Sequence, residues 1–270
     1  MKEKISITIE ENILRELDAL IDNIVIKNRS NAIEFLVNKA LGQSKTAVIL
    51  SGGSPDYLRI SKTEFRPTAK INSKPLLQHN IDKLKLCGFK HIYIIARKPV
   101  LTAIFGVLSN KENHDMNFEF VQEPESRGTA FSLKQLKGKL NSPFIVLYGD
   151  IVAANLELIS LWKSHIRNKF TATLLLTSSP EPNKKGVVEL EGNRIVRFIQ
   201  KPSKTELYIG FSSVFVAEPS IMDYAGDWLE LDIFPRMAAE GLLGGFVSSQ
   251  QVIHIHSTSD KNRASSVVVR

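Results

Sequence analysis

The chain has 270 residues, a formal net charge of +7 and 43% hydrophobic side chains, enough apolar material for a sizeable core. Cys87 is the single cysteine, which excludes an intramolecular disulfide and a Cys-rich zinc cluster. The opening MKEKISITIEEN lacks the apolar run of a signal peptide and no stretch reaches membrane-spanning length, so a soluble cytoplasmic protein without membrane attachment is expected. The positive charge is compatible with a nucleic-acid or phosphorylated partner and identifies neither.

The first forty residues have a pattern of their own. In KISITI, Ile5, Ile7 and Ile9 alternate with Lys4, Ser6 and Thr8, which predicts a half-buried strand. From Glu11 the period becomes helical, with Ile13, Leu14, Leu17, Leu20 and Ile21 on one side. A break at VIKNRSN follows, with Ser30 or Asn31 suited to cap a second helix carrying Ile33, Leu36, Val37 and Ala40. GQSK reads as a linker, which divides the chain into domains 1–43 and 44–270. A unit this small cannot bury its own apolar faces, and its strand has no partner within the chain. Pairing of two copies would answer both.

This strand–helix–helix order resembles the ribbon-helix-helix family of dimeric DNA-binding proteins, over Met1 to about Leu41. The resemblance implies that Lys4, Ser6 and Thr8 read bases from a two-stranded ribbon in the major groove. It also implies that Arg29, Ser30 and Asn31, at a helix N-terminus, hold a phosphate. The plainer reading of the same residues is a solvated strand face and an ordinary cap in a dimerisation module.

From Thr46 the texture is α/β. TAVIL, HIYIIA, FEFVQ and PFIVLYGD read as strands, and PLLQHNIDKLKLCG and GTAFSLKQLKGKL as helices. Their alternation predicts a Rossmann-like, mostly parallel sheet with helices on both faces. FTATLLLTS, KGVVEL, NRIVRFIQKP and YIGFSSVFVA extend it with further strands. Three signals fall at carboxyl ends of strands, where open α/β sheets bind ligands: Gly52–Gly53, Gly128–Thr129–Ala130 and Gly149–Asp150.

The order of AVILSGG, NSKPLLQHNIDKLKLCGFKHIYII, GTAFSL, VLYGD, GVVELEGNRIVRFIQKP and LDIFPRMAAEGLLGGF resembles the sugar-1-phosphate nucleotidylyltransferases, from Thr46 to about Ala264. The resemblance implies Gly52 and Gly53 against a nucleotide, Gly128 and Thr129 at base or ribose, and Gly186 at the sugar. It places Lys201 at the sugar phosphate and Asp150 on a divalent metal, Mg²⁺ accompanying a nucleotide. Where the family keeps GGxGxR, this chain has Pro55 and Tyr57, with Arg59 nearby and Arg66 at the following lysine position. Where the family has a second metal-binding aspartate, QVIHIHSTSD places His254, with His256 on the same strand face. Two such histidines could take a softer metal, although plain strand histidines are the simpler reading.

These departures fall on catalytic positions and spare the scaffold. They lead to the expectation of a DNA-binding transcriptional regulator, a homodimer or higher oligomer on a palindromic operator. Its second domain would be a pseudoenzyme that serves in binding a nucleotide or sugar nucleotide as effector, or in oligomerisation. The alternative is an active sugar-1-phosphate nucleotidylyltransferase, with Arg59 and Arg66 supplying the usual cations.

Overall fold

The computed structural model describes residues 4–22, 26–40, 45–109 and 115–268. The chain divides into two compact units, Met1–Ser44 and Lys45–Arg270. Gly42, Gln43 and Ser44 of the expected linker lie outside the described residues.

In the first unit, helix α1 (Glu11–Asp18) and helix α2 (Arg29–Ala40) meet through Leu17, Ile26 and Ala32. The strand expected over residues 4–9 is not present: this segment has no regular structure, and Ile5 and Ile7 are exposed together with Lys4, Ser6 and Thr8. Strand geometry needs a neighbour to satisfy its N–H and C=O groups, and the described residues of the chain offer none. The cation expected to hold phosphate is already neutralised. Arg29 Nε donates to Asp18 Oδ1 at 2.6 Å and its Nη2 to Oδ2 at 2.7 Å. The Asn31 N–H at the start of α2 donates to the Asn28 side chain at 2.9 Å.

In the second unit the elements run β1 (Lys45–Ser51), α3 (Pro55–Leu58), β2 (Lys70–Ile71), β3 (Lys74–Pro75), α4 (Leu76–Leu86), β4 (Phe89–Ala96) and α5 (Lys98–Leu108). Next come β5 (Asn117–Gln122), α6 (Thr129–Lys134), β6 (Phe144–Tyr148), β7 (Ile151–Val152), α7 (Leu158–Asn168) and β8 (Ala172–Ser178). The chain closes with β9 (Gly186–Glu191), β10 (Arg194–Gln200), β11 (Ile209–Ala217), α8 (Phe234–Ala239), β12 (Leu243–Val247), β13 (Ile253–His254) and α9 (Thr258–Val268).

One sheet of nine strands, in the order β5-β4-β1-β6-β11-β8-β12-β10-β9, forms the frame. The half built from β5, β4, β1 and β6 is parallel, as alternating strand and helix patterns require. The other half corrects the expectation of a mostly parallel sheet. β11 runs antiparallel to both β6 and β8, and β9 and β10 form a hairpin turned at Gly192, so the sheet is mixed. Strands joined by so short a connection can only return antiparallel, and only Gly192 and Asn193 separate Glu191 from Arg194.

Both sheet faces are covered. On one, Ile49, Ile81, Ile94, Ile104, Leu147 and Leu161 pack into a single core. On the other, Val48, Leu133, Val146, Leu174, Phe215 and Phe234 do the same. β1 is buried along its length apart from Lys45, which explains why TAVIL reads as an unbroken apolar run. No helix among the described residues is long and apolar enough to cross a membrane.

Candidate active site

The carboxyl ends of β1 and β6 lie side by side, and the loops that leave them form a cavity. Leu50, Ser51, Gly52, Gly53, Arg66, Ser126, Gly128, Thr129, Tyr148, Asp150 and Trp228 are among its lining residues. Gly53 turns the chain with φ +107°, a conformation that side chains other than glycine's rarely adopt. The turn is held by Glu123, a buried carboxylate just beyond β5 that accepts the Gly53 N–H at 2.8 Å and the Ser132 hydroxyl. Gly128 is pressed against the next segment of backbone. A methyl group there would overlap the Asp227 carbonyl, which already accepts the N–H groups of Ala130 and Phe131.

Thr129 opens α6 and faces a single π-helical turn, Leu229–Ile233. Its hydroxyl donates to Glu230 Oε2 at 2.7 Å and accepts the Leu229 N–H at 2.9 Å. Tyr148 donates to the other oxygen of Glu230. Burial and the neighbouring Glu230 carboxylate push the Tyr148 hydroxyl well above its ordinary pKa, so it stays a neutral donor.

A second cavity opens on the other side of Tyr148. Ser179, Lys184, Lys185, Gly186, Gln200, Lys201, Ser213, Glu230, His254, His256 and Arg263 are among its lining residues. Lys201 and Ser213 sit at φ +45° and +57°, strained values for residues with side chains. The Lys201 N–H donates to the Lys185 carbonyl at 2.9 Å, which holds the two lysines side by side. Burial lowers the Lys185 ammonium from its ordinary pKa, against the raising influence of Glu181.

Asp150 lines the first cavity and touches histidines that line the second. β13 pairs with β7 and the Ile255 N–H donates to the Asp150 carbonyl at 2.7 Å, which brings the HIH segment against it. Its Oδ2 lies 3.0 Å from His256 Nε2 and 3.3 Å from Arg66 Nη1, and its Oδ1 lies 3.8 Å from His254 Nδ1. Burial raises the Asp150 carboxyl, but the hydrogen bond with His256 and the nearby His254 outweigh it and hold the group below the usual carboxylate range. Mg²⁺ wants oxygen donors, and one carboxylate with two imidazoles does not fit it.

Of the residues singled out in the sequence, Gly52, Gly53, Gly128, Thr129, Arg66 and Asp150 line the first cavity and Gly186 and Lys201 the second. Arg59 lines neither. Its guanidinium donates to the Lys62 carbonyl at 2.9 Å and stacks 4.6 Å from the centre of the Phe65 ring. Glu123, Tyr148, Lys185 and Glu230 are site residues that the sequence reading misses. Lys185 had a signal, since it directly precedes the GVVEL motif.

A family model for nucleotidyl transferases matches residues 46–241. The mannose-1-phosphate guanyltransferase of Aspergillus fumigatus is 28% identical over 213 residues, covering 74% of this chain and 57% of the relative. That of Yarrowia lipolytica is 29% identical over 211 residues, with the same coverage. The chain thus spans little more than half the length of these curated relatives. Among solved structures, HddC from Yersinia pseudotuberculosis complexed with GMP-PN superposes with a TM-score of 0.68 at 21% identity, covering 83% of this chain and 99% of that one.

These relatives overturn the expectation of a DNA-binding transcriptional regulator. The matched proteins carry the names of transferases. They overturn the pseudoenzyme as well: the departures at Pro55 and Tyr57 leave a cavity still lined by the glycine loop, Arg66 and Asp150. With the family model matched over residues 46–241, from β1 to just beyond α8, the chain belongs to the nucleotidyl transferase family.

Proposed function

We propose that the chain is a sugar-1-phosphate nucleotidylyltransferase, which joins a sugar 1-phosphate to the nucleoside monophosphate part of an NTP and releases pyrophosphate. The observation that carries this reading is the pair of cavities at the strand ends: Gly52, Gly53, Gly128, Thr129 and Arg66 line one, Lys185, Gly186 and Lys201 the other, and Tyr148 lines both. Backbone turns beside a cation in one and two lysines in the other favour anionic ligands in both.

In this reading the nucleotide lies along Gly52, Gly53, Gly128 and Thr129. The sugar lies against Gly186, and its phosphate between Lys185 and Lys201. An oxygen of the sugar phosphate attacks the α-phosphorus, a new P–O bond forms, and the bond to the leaving pyrophosphate breaks. Such transfers are accelerated by positioning and by neutralising charge, tasks open here to Arg66, Lys185 and Lys201. The names of the relatives make GTP and mannose 1-phosphate the first pair to try. Release of pyrophosphate should be measured across the four common NTPs and a panel of sugar 1-phosphates, with Mg²⁺ and with Co²⁺. Turnover with at least one pair is expected. Silence with every pair and both metals would remove the reading.

The first unit, in this reading, serves assembly. Ile5, Ile7, Ile13, Phe35 and Val37 are exposed by 44% or more, an apolar load that a second copy would cover. Sedimentation should show at least a dimer for the full chain and a smaller species for residues 45–270.

A further inference from the structure

We infer that Asp150, His254 and His256 form a site for a divalent first-row transition metal of the Zn²⁺, Co²⁺ or Fe²⁺ class, in place of a Mg²⁺ site. The inference deepens the proposed function by assigning the metal class at its centre, and its test reads the metal alone.

One donor atom from each of the three residues lies within 4.8 Å of the other two. A metal with bonds of about 2.1 Å separates its ligand atoms by about 3.0–3.4 Å at octahedral or tetrahedral angles. The distance of 3.0 Å from Asp150 Oδ2 to His256 Nε2 already meets this, and the other carboxylate oxygen, Oδ1, lies 3.8 Å from His254 Nδ1. Imidazole suits Zn²⁺, Co²⁺ and Fe²⁺, whereas Mg²⁺ seeks oxygen in octahedral array. The donors are also carried by a fixed backbone. β13 is paired with β7, and the His256 N–H donates to Asp260 Oδ2 at 3.1 Å.

Three protein donors leave coordination positions open, the pattern of reactive rather than structural metal sites. The open side faces both cavities, since Asp150 lines one and the two histidines line the other. Arg66 is the competing group. Its Nη1 lies 3.3 Å from the same Oδ2, a long hydrogen bond, and must share or yield that oxygen when a dication enters. The two histidines differ in access: the His256 side chain is 54% exposed and can turn toward an arriving ion, while that of His254 is 24% exposed beside the carboxylate.

The test is titration of the full chain with Co²⁺ alone, read by visible d–d absorption and by calorimetric stoichiometry. One Co²⁺ per chain is expected, unaffected by a large excess of Mg²⁺. His254→Ala and His256→Ala should each weaken binding at least about tenfold. His254→Asp, which replaces nitrogen by oxygen, should shift preference toward Mg²⁺ and so tests the idea in a variant that retains a ligand. Absence of Co²⁺ uptake, uptake indifferent to both alanine variants, or displacement by equimolar Mg²⁺ would overturn the inference. Those results can occur while pyrophosphate release with Mg²⁺ persists, and Co²⁺ can bind where no substrate pair turns over, so this inference and the proposed activity fail separately.

Discussion

Thr129 and Glu230 lock two distant parts of the chain together at the mouth of the first cavity. The threonine hydroxyl donates to the carboxylate at 2.7 Å and accepts the Leu229 N–H at 2.9 Å, so its proton and one lone pair are both engaged. Glu230 is 8% exposed and depends on Thr129 and Tyr148 for the hydrogen bonds that replace water. Thr129→Val keeps the shape and removes both bonds. It should lower stability to urea by about 1–3 kcal/mol, and Thr129→Ser should recover most of that. A valine variant as stable as the parent would show that the pair carries no load.

Gly128 leads to a second expectation. A side chain at this position meets the Asp227 carbonyl and, at 2.9 Å, the Trp228 ring. Backbone cannot retreat as a flexible side chain can. Gly128→Ala should therefore push α6 away from the π-helical turn and cost about 1–3 kcal/mol. Nucleotide binding, followed by calorimetry, should weaken by more than the melting temperature alone suggests.

His165 makes stability depend on pH. The ring is fully buried between α7 and β8, with Nδ1 2.9 Å from Thr173 Oγ1. Burial lowers its pKa to about 4. Glu218 Oε1 lies 3.4 Å from Nε2 without a hydrogen bond, and burial raises that carboxyl above its ordinary pKa. The unfolded chain, with an ordinary histidine, binds the proton first as pH falls, so stability is present above the unfolded pKa near 6.5 and is lost toward 4. Between about pH 7 and pH 5 the loss should reach about 2 kcal/mol. Urea melts at the two pH values measure it, and His165→Gln should flatten the difference. An equal slope in the variant would assign the acid sensitivity elsewhere.

The cations divide by role under the proposed reaction. Arg66→Gln should lower kcat about 10²-fold, the scale for removing one donor aimed at developing charge. Lys185→Ala and Lys201→Ala should act mainly on KM for the sugar phosphate. Arg59→Ala, which lies outside both cavities, should leave kcat within about twofold while costing under about 1 kcal/mol of stability. Initial rates of pyrophosphate release separate the three patterns.

The parallel half of the sheet was legible because β1, β4 and β6 are buried on both faces and read as apolar runs. The place of β11 was not. IGFSSVFVA is as apolar as its neighbours, and only the pairing with β6 and β8 reveals its reversed direction. Glycine positions were legible because close approach leaves no room for other residues, as at Gly128. Hydrogen-bond partners such as Glu123 and Glu230 were hidden, since a carboxylate gives no local sign that it will be buried against a loop far along the chain. The histidines were visible, but their convergence on Asp150 depends on β7 meeting β13, a contact across about a hundred residues. The N-terminal segment has no strand in the single chain, because an alternating pattern marks one face of a strand only when something covers that face, and within the described residues nothing covers Ile5 and Ile7.

The reversed strand also sets an order of events during synthesis. β1, β4, β5 and β6 can assemble as soon as they leave the ribosome, because β5, β4 and β1 pair only within this group and β6 joins it through β1. The far side of β6 must then wait with its N–H and C=O groups unpaired until Ala217 has been made. A bare, apolar strand edge is a template for joining another chain. Nascent chains halted between Tyr148 and Ile209 should therefore be the aggregation-prone species, captured by chaperones that hold unfolded segments. Release past Ala217 should end that dependence, and fragments terminated on either side of β11 should differ sharply in solubility.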